Sequence, residues 1–207
     1  MTGPALVALD IAGEAQPWEA VGLTVAHEVA QVGDVTLRFG EEGEGIVGWA
    51  LRAIDGPPVL DGLRTLWLPE PTLPSAPVEH ELGAVAVDHV VVATPDVRRT
   101  FAAFEAAGLV LRRERDAGNA ERPLRQGFFR HGEAVVEVVG PREADGDAPA
   151  RFWGLTLVVA DLDAAVDRLG PGRCHAPRAA VQPGRRIATL RREAGLPVRV
   201  ALMTPEA

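Results

Sequence analysis

The 207-residue sequence predicts an α+β protein assembled from repeated β-α-β-β-β units, and three observations carry that expectation. Ala84–Pro141 reads as strand, helix, then three strands. Arg151–Pro205 reads in the same order. The landmarks also agree in count: His89 stands seven residues before Asp96, and Gly154 stands seven before Asp161. Glu137 and Ala201 each stand four residues before a proline, and the spacing from first strand to last is 48 residues in one unit and 47 in the other. Repeats of this kind set an architecture.

In the middle unit, Val85–Ala93 is β-branched and too short for a helix. Thr94-Pro95-Asp96 supplies a helix start, with Thr94 as the expected N-cap and Pro95 in the first helical position. Val97, Phe101, Phe104 and Ala107 follow at helical spacing, and Gly108 marks the stop. Strands are expected at Leu109–Arg113, Arg125–Arg130 and Ala134–Val139. A histidine, His89, interrupts the first strand, and a carboxylate, Glu137, interrupts the last. In the final unit, Phe152–Val159 is a strand and Asp161 caps a helix that ends at Gly170. Strands follow near Ala179–Val181, Arg185–Arg192 and Val198–Met203.

The N-terminal stretch reads as a weaker copy. Strands are expected at Ala5–Ala12, Leu23–Gln31, Asp34–Phe39 and Ile46–Ile54, with the helix reduced to a turn around Trp18. Asp55–Gly83 holds six prolines and reads as a connector. Its apolar Leu60–Leu68 is expected to form an ordered strap, and His80 to sit in a solvated loop. The expected division is therefore a degenerate module over 1–55, a Pro-rich connector over 56–83, and a two-module domain over 84–205, built from 84–141 and 151–205.

A net charge of −8 argues against general nucleic-acid binding. The single cysteine, Cys174, excludes an internal disulfide framework and fits a reducing compartment. Met1-Thr2-Gly3-Pro4 lacks the basic start of a signal peptide, and no apolar run approaches membrane-spanning length. A cytoplasmic protein without nucleic-acid or membrane partners is expected. Cys174-His175 lies in a Pro/Gly loop without a second ligand pair, and no phosphate-binding glycine motif or nucleophile elbow is present. His27 is expected in a strand and His131 in a turn.

The runs Asp88-His89-Val90-Val91-Val92, Pro95-Asp96, Val136-Glu137-Val138 and Leu157-Val158-Val159-Ala160-Asp161-Leu162-Asp163 resemble the paired βαβββ modules of the vicinal oxygen chelate superfamily. That superfamily includes glyoxalase I, extradiol dioxygenase, methylmalonyl-CoA epimerase and bleomycin-resistance families. The resemblance spans roughly Val85 to Pro205. It implies an open glyoxalase-like barrel, with a degenerate third module at the N-terminus. It also implies a divalent ion (Zn, Fe, Mn or Ni), held by one ligand on the first strand and one on the last strand of each module. His89 and Glu137 occupy those places in the middle module, whereas the last module offers Gly154 and Ala201, which cannot ligate. Stable sites generally use three or more protein donors, so the metal site is partial, and no ion at all is the other reading.

The pocket is expected to take further residues from the neighbouring strands. The phase of Arg125–Arg130 is open: one face offers Gln126, Phe128 and Arg130, the other Arg125, Gly127 and Phe129. Arg185 is a candidate for carboxylate or phosphate recognition. Phe152 or Trp153 is expected to face the interior as an aromatic wall, core packing being the plainer reading. Two functional classes follow. One is a glyoxalase-like protein that binds a small molecule in its barrel, as in the bleomycin-resistance branch. The other is a lyase, isomerase or dioxygenase acting on a small carbonyl or aromatic substrate, with Glu137 as base or metal ligand and His89 as its partner. A filled barrel serving only as a structural or interaction module is the blandest reading. A homodimer is expected from the resemblance.

Overall fold

The computed structural model describes residues 5–52, 55–69 and 77–206. The expected strand end at Ile54, the chain start at Met1–Pro4 and connector residues 70–76 lie outside the described residues. The N-terminal elements are β1 (Ala5–Ala12), α1 (Gln16–Ala20), β2 (Val29–Val32), β3 (Val35–Glu41), β4 (Ile46–Arg52), β5 (Val59–Leu60) and β6 (Leu63–Leu68). The middle unit comprises β7 (Ala84–Ala93), α2 (Val97–Ala106), β8 (Leu111–Gly118), β9 (Pro123–His131) and β10 (Ala134–Pro141). The last comprises β11 (Arg151–Val159), α3 (Leu162–Leu169), β12 (Arg178–Ala179), β13 (Arg186–Thr189), a 3-10 turn (Arg192–Ala194) and β14 (Arg199–Met203). Among the described residues no helix is long and apolar enough to cross a membrane.

The middle and last units form one curled, eight-stranded half-barrel in the order β12-β13-β14-β11-β7-β10-β9-β8. In each unit the first strand pairs parallel with the last, β7 with β10 and β11 with β14, and the two first strands pair antiparallel at the centre. The expected βαβββ repeat is therefore present in both units.

The N-terminal sheet repeats this plan in reduced form, in the order β2-β3-β1-β4-β6-β5. Here β1 pairs parallel with β3 and antiparallel with β4, and β4 pairs parallel with β6. Ile46–Arg52 thus does not close the first copy as expected. The closing place beside β1 belongs to β3, and β4 opens a second, helix-free copy completed by β5 and β6. Leu60–Leu68 is not a strap for the same reason: Asp61 and Gly62, both at positive φ (45° and 93°), make a tight hairpin turn. Leu63 and Thr65 then alternate inward as core residues of β6.

Boundary corrections are local. Thr94 is not the cap of α2; Asp96 is, its Oδ1 accepting from the backbone N–H groups of Arg98 and Arg99 at 3.0 and 3.1 Å. Thr94 instead accepts through Oγ1 from the Asp96 N–H, one residue too early to cap. His27 and Glu28 adopt left-handed φ (52° and 58°), so His27 lies in a turn and β2 starts only at Val29. His80 is buried and not solvated. Its Nδ1 accepts from the Thr24 N–H at 2.9 Å and its Nε2 reaches the Gln31 carbonyl at 2.8 Å, which pins the incoming chain to the N-terminal sheet. Asp161 caps α3 and Gly170 ends it, as expected.

A single core runs through both sheets. Trp49 of β4 packs on Phe104 of α2 at 5.7 Å and edge-on to Phe152 of β11 at 5.3 Å, and Phe101 and Phe104 both meet Phe129. Trp49, Phe104 and Phe129 are fully buried, each worth roughly 1.5–3 kcal/mol or more in transfer free energy. Asp61 ties the N-terminal sheet to α2 by an ion pair with Arg99 at 2.7 Å and by accepting from the Thr100 hydroxyl. One face of the half-barrel (Val90, Val92, Phe129, Val136, Val138, Leu155, Leu157) is thereby consumed as core. The opposite face is left for function.

Candidate functional site

Strand registers decide which side chains share that opposite face. Arg199 pairs with Gly154, Gly154 with Val91, Val91 with Glu137, and Glu137 with Phe128, so these five residues form one row across five strands. The neighbouring row reads Ala201, Thr156, His89, Val135 and Arg130. His89, Glu137, Gln126 and Phe128 are therefore brought to one face, each half-buried. The open phase of β9 resolves to Gln126, Phe128 and Arg130.

His89 is held by more than its strand. The β7–β11 ladder passes from His89↔Thr156 to Val87↔Leu157, which makes Asp88 an extra residue, a β-bulge. The bulge turns Asp88 to the side of His89, whereas plain alternation would send it away. Asp88 Oδ2 lies 2.6 Å from His89 Nδ1, and His89 Nε2 lies 3.0 Å from the Thr156 hydroxyl, which is buried. Arg185 reaches across from the last unit, its Nη2 2.6 Å from Asp88 Oδ1 and its Nε donating to the Thr204 carbonyl at 2.8 Å. Burial alone would push the Asp88 carboxyl up; the hydrogen bonds and charges of His89 and Arg185 outweigh it and hold Asp88 below the ordinary carboxylate range. An ionised Asp88 holds a proton on His89 Nδ1, so that in the neutral ring Nε2 is the lone-pair nitrogen, facing the Thr156 hydroxyl. That is the tautomer of a general base or a metal ligand.

Arg185 is thus a buried structural partner of Asp88 and not the free anion receptor expected of it. Glu137 accepts from the Gln126 amide, and the Gln126 carbonyl oxygen accepts from Arg115 Nε at 2.5 Å. The Arg115 guanidinium lies over the Phe128 ring at 5.4 Å. Phe152 turns into the core against Trp49. Trp153 is the extra residue of a second bulge between Phe152 and Gly154, 45% exposed, with the Arg199 guanidinium over its ring at 5.1 Å. It does not form a buried wall opposite His89. Asp88, Thr156, Arg115 and Arg199 were missed as site residues. Only the Asp88-His89 adjacency hinted at any of them, and a bulge is needed to give that adjacency meaning.

The metal positions can be tested on their donors. His89 and Glu137 share the face, but the remaining two places are Gly154 and Ala201. A Cβ on Gly154 would stand 3.0 Å from the Arg199 carbonyl oxygen, so close strand contact favours glycine there. Among the described residues no three His, Cys, Asp or Glu side chains are grouped to share an ion. Glu137 and His89 already spend hydrogen bonds on Gln126 and Thr156. This donor set does not fit a tightly held divalent ion. Cys174 is buried, and burial pushes its thiol up, away from a ligating thiolate. Two cavities, of about 440 and 560 Å³, lie on the N-terminal sheet around Glu14–Glu28 and around Gly40–Val47, away from this face.

Comparison with known proteins agrees with the geometry. Residues 86–176 match the model of the Glyoxalase/Bleomycin resistance protein/Dioxygenase superfamily, in agreement with the vicinal oxygen chelate resemblance over that stretch. A mutant of 4-hydroxymandelate synthase from Streptomyces coelicolor is similar in structure at a TM-score of 0.63 and 13% identity, over 98% of this chain and 93% of that one. Its reach over the N-terminal sheet accords with a fold repeated along the whole chain. Methylmalonyl-CoA epimerase from Mycobacterium tuberculosis is similar at a TM-score of 0.47 and 19% identity, over 60% of this chain and 91% of that one. A Streptomyces coelicolor methylmalonyl-CoA epimerase variant in complex with 2-nitronate-propionyl-CoA gives 0.44 and 22%, over 58% and 97%. No curated protein matches the chain.

Proposed function

We propose that this chain binds an organic small molecule on the half-barrel face that carries His89, Glu137, Gln126 and Phe128. The supporting observation is the convergence there of two hydrogen-bonded sets, Asp88–His89–Thr156 and Arg115–Gln126–Glu137, beside a half-buried aromatic ring. A few oriented polar groups set in an otherwise apolar surface are what a ligand site requires. Val91, Val135 and Val139 supply that surface between the polar groups. Recognition in this reading rests on side chains and not on a chelated ion, and it operates in the cytoplasm, in a homodimer.

One observation favours a second reading. The Asp88-set tautomer of His89 is a form suited to removing a proton, which points to an isomerase or lyase acting on a small carbonyl or aromatic compound. Thermal-shift screening against carbonyl and aromatic compounds, with and without Zn²⁺, Fe²⁺, Mn²⁺ or Ni²⁺, separates the cases. Binding without metal that is lost in Phe128→Ala and Glu137→Gln supports the first reading. Solvent-proton exchange into a bound ligand, abolished in His89→Gln, converts it to the second. Ligand binding indifferent to all three substitutions overturns the site. Sedimentation velocity reads the oligomeric state.

A further inference from the structure

We infer that the ligand is an organic anion with a flat body, its carboxylate or phosphate seated on the Arg199–Trp153 stack at one end of the central row. This inference rests on the binding reading above and names the ligand's class. Arg199 lies in register with Gly154 and therefore on the site face, and the stacking of its guanidinium on Trp153 places that ring on the same face. Among the described residues Arg199 makes no ion pair and no side-chain hydrogen bond. Arg115, at the other end, has no carboxylate partner among the described residues either; its Nε serves Gln126, and no other described side chain takes its remaining N–H groups. Both guanidiniums are oriented by an aromatic ring, which fixes the plane while leaving the N–H edge available to an anion.

Stacking, and not the want of a carboxylate alone, sets these two arginines apart. Among the described residues others, such as Arg98, Arg151 and Arg192, also form no ion pair, whereas Arg99, Arg185 and Arg186 are each paired with an Asp at 2.6–2.8 Å. Arg115 and Arg199 are the two held over aromatic rings of the site face. Between them the row offers Gly154, which bares the sheet floor, then Val91, then Glu137 with its amide partner Gln126. Four strand spacings, about 19 Å along the curved sheet, separate Arg199 from Phe128. A flat body lying along that floor places an anionic group on Arg199 and its remaining polar edge towards Gln126 and Glu137.

The test uses the full chain and defined probes: benzoate, phenyl phosphate and the neutral isosteres benzamide and benzyl alcohol. Trp18 and Trp49 are fully buried, and Trp67, half-buried on β6, is replaced by Phe in every protein compared, so quenching of the exposed Trp153 reports local binding, and calorimetry gives the affinity. Benzoate or phenyl phosphate is expected to bind saturably, weakening with salt and by about 10-fold or more in Arg199→Gln, with partial rescue in Arg199→Lys. Arg98→Gln, on the exposed side of α2, is expected to leave affinity unchanged. Neutral probes that bind equally well, lost in Phe128→Ala but not in Arg199→Gln, overturn the anion inference and leave the site standing. Failure of all four probes to perturb Trp153 or stability overturns the inference, and if the broader ligand screen also yields no Phe128-dependent binding, the binding reading falls with it. Circular dichroism of each variant separates lost binding from lost folding.

Discussion

The Asp88–Arg185 pair gives the most direct test of how the two units are joined. Asp88 and Arg185 side chains are 13% and 5% exposed, and the pair spans units that otherwise meet through the β7–β11 ladder. Asp88→Asn leaves Arg185 buried without its counter-charge, and breaking a buried pair costs about 3–5 kcal/mol. The Asn oxygen can still accept from His89 Nδ1–H, so the lower end, about 3 kcal/mol, is expected. For a chain of this size that corresponds to a fall in Tm of about 6–12 °C. Arg185→Met leaves Asp88 partnered only by His89 and is expected to cost about as much. The double variant removes both charges and is expected to recover most of the loss, since a buried pair replaced as a unit is often nearly neutral. The pH dependence has a definite sign. Asp88 is held below its unfolded value, so its contribution is present above about pH 4 and is lost as the pH falls through the folded value. The gap between wild type and Asp88→Asn in urea unfolding should therefore narrow below pH 4. Single effects that simply add, or a gap constant from pH 3 to 7, would refute the reasoning.

Further outcomes follow from named contacts. Phe104→Ala, which empties the space between Trp49 and Phe129, is expected to cost about 3–5 kcal/mol in denaturant unfolding. Asp96→Ala removes the α2 cap and is expected to cost about 1 kcal/mol, whereas Thr94→Ala leaves that cap intact. Asp10→Asn weakens a carboxylate bonded to Arg38 at 2.6 Å and Arg64 at 3.2 Å, with an expected loss of about 1–3 kcal/mol that shrinks in high salt. Gly154→His is expected to lower stability by about 1–3 kcal/mol without creating an ion site, because its Cβ meets the Arg199 carbonyl. Ala201→Glu, in register with Thr156, is expected to raise zinc retention by plasma emission analysis.

The two complete repeats were legible because each is written in local chemistry: β-branched first strands, Asp caps seven residues beyond His89 and Gly154, and glycine stops. The N-terminal sheet was harder to read. Its second copy lacks a helix, and with nothing at the 3.6-residue period to separate strands, β4 looked like an ending and not a beginning. The site was half legible. His89 and Glu137 could be found as polar interruptions of apolar strands, and the parallel pairing of β7 with β10 puts them on one face. The roles of Asp88 and Trp153 depend on bulges, which shift a side chain to the other face without any mark in residue order. Arg185 was singled out for its charge, yet its burial against Asp88 is a tertiary fact that spacing cannot supply.

The reduced N-terminal sheet shows what the same frame does when it is not used as a site. Its registers superpose on those of the half-barrel, bulges included, with Val7 and Val47 as the extra residues where Asp88 and Trp153 stand. In that alignment Ala8 takes the place of His89, Arg38 that of Glu137, Gly48 that of Gly154 and Leu66 that of Ala201. None of the four is an oxygen or imidazole donor. The face is closed by charge instead: Arg38 and Arg64 converge on Asp10, and Arg64 also meets Glu41 at 3.0 Å. Each guanidinium there is neutralised by a carboxylate of the chain. In the half-barrel the corresponding face keeps a carboxylate, an oriented imidazole and two stacked guanidiniums without carboxylates. One backbone plan thus carries a self-satisfied polar cluster at one end of the chain and an unsatisfied one at the other. The two stacked guanidiniums outnumber the single carboxylate, Glu137, of that face, so the partner that would complete it is an anion from outside the chain.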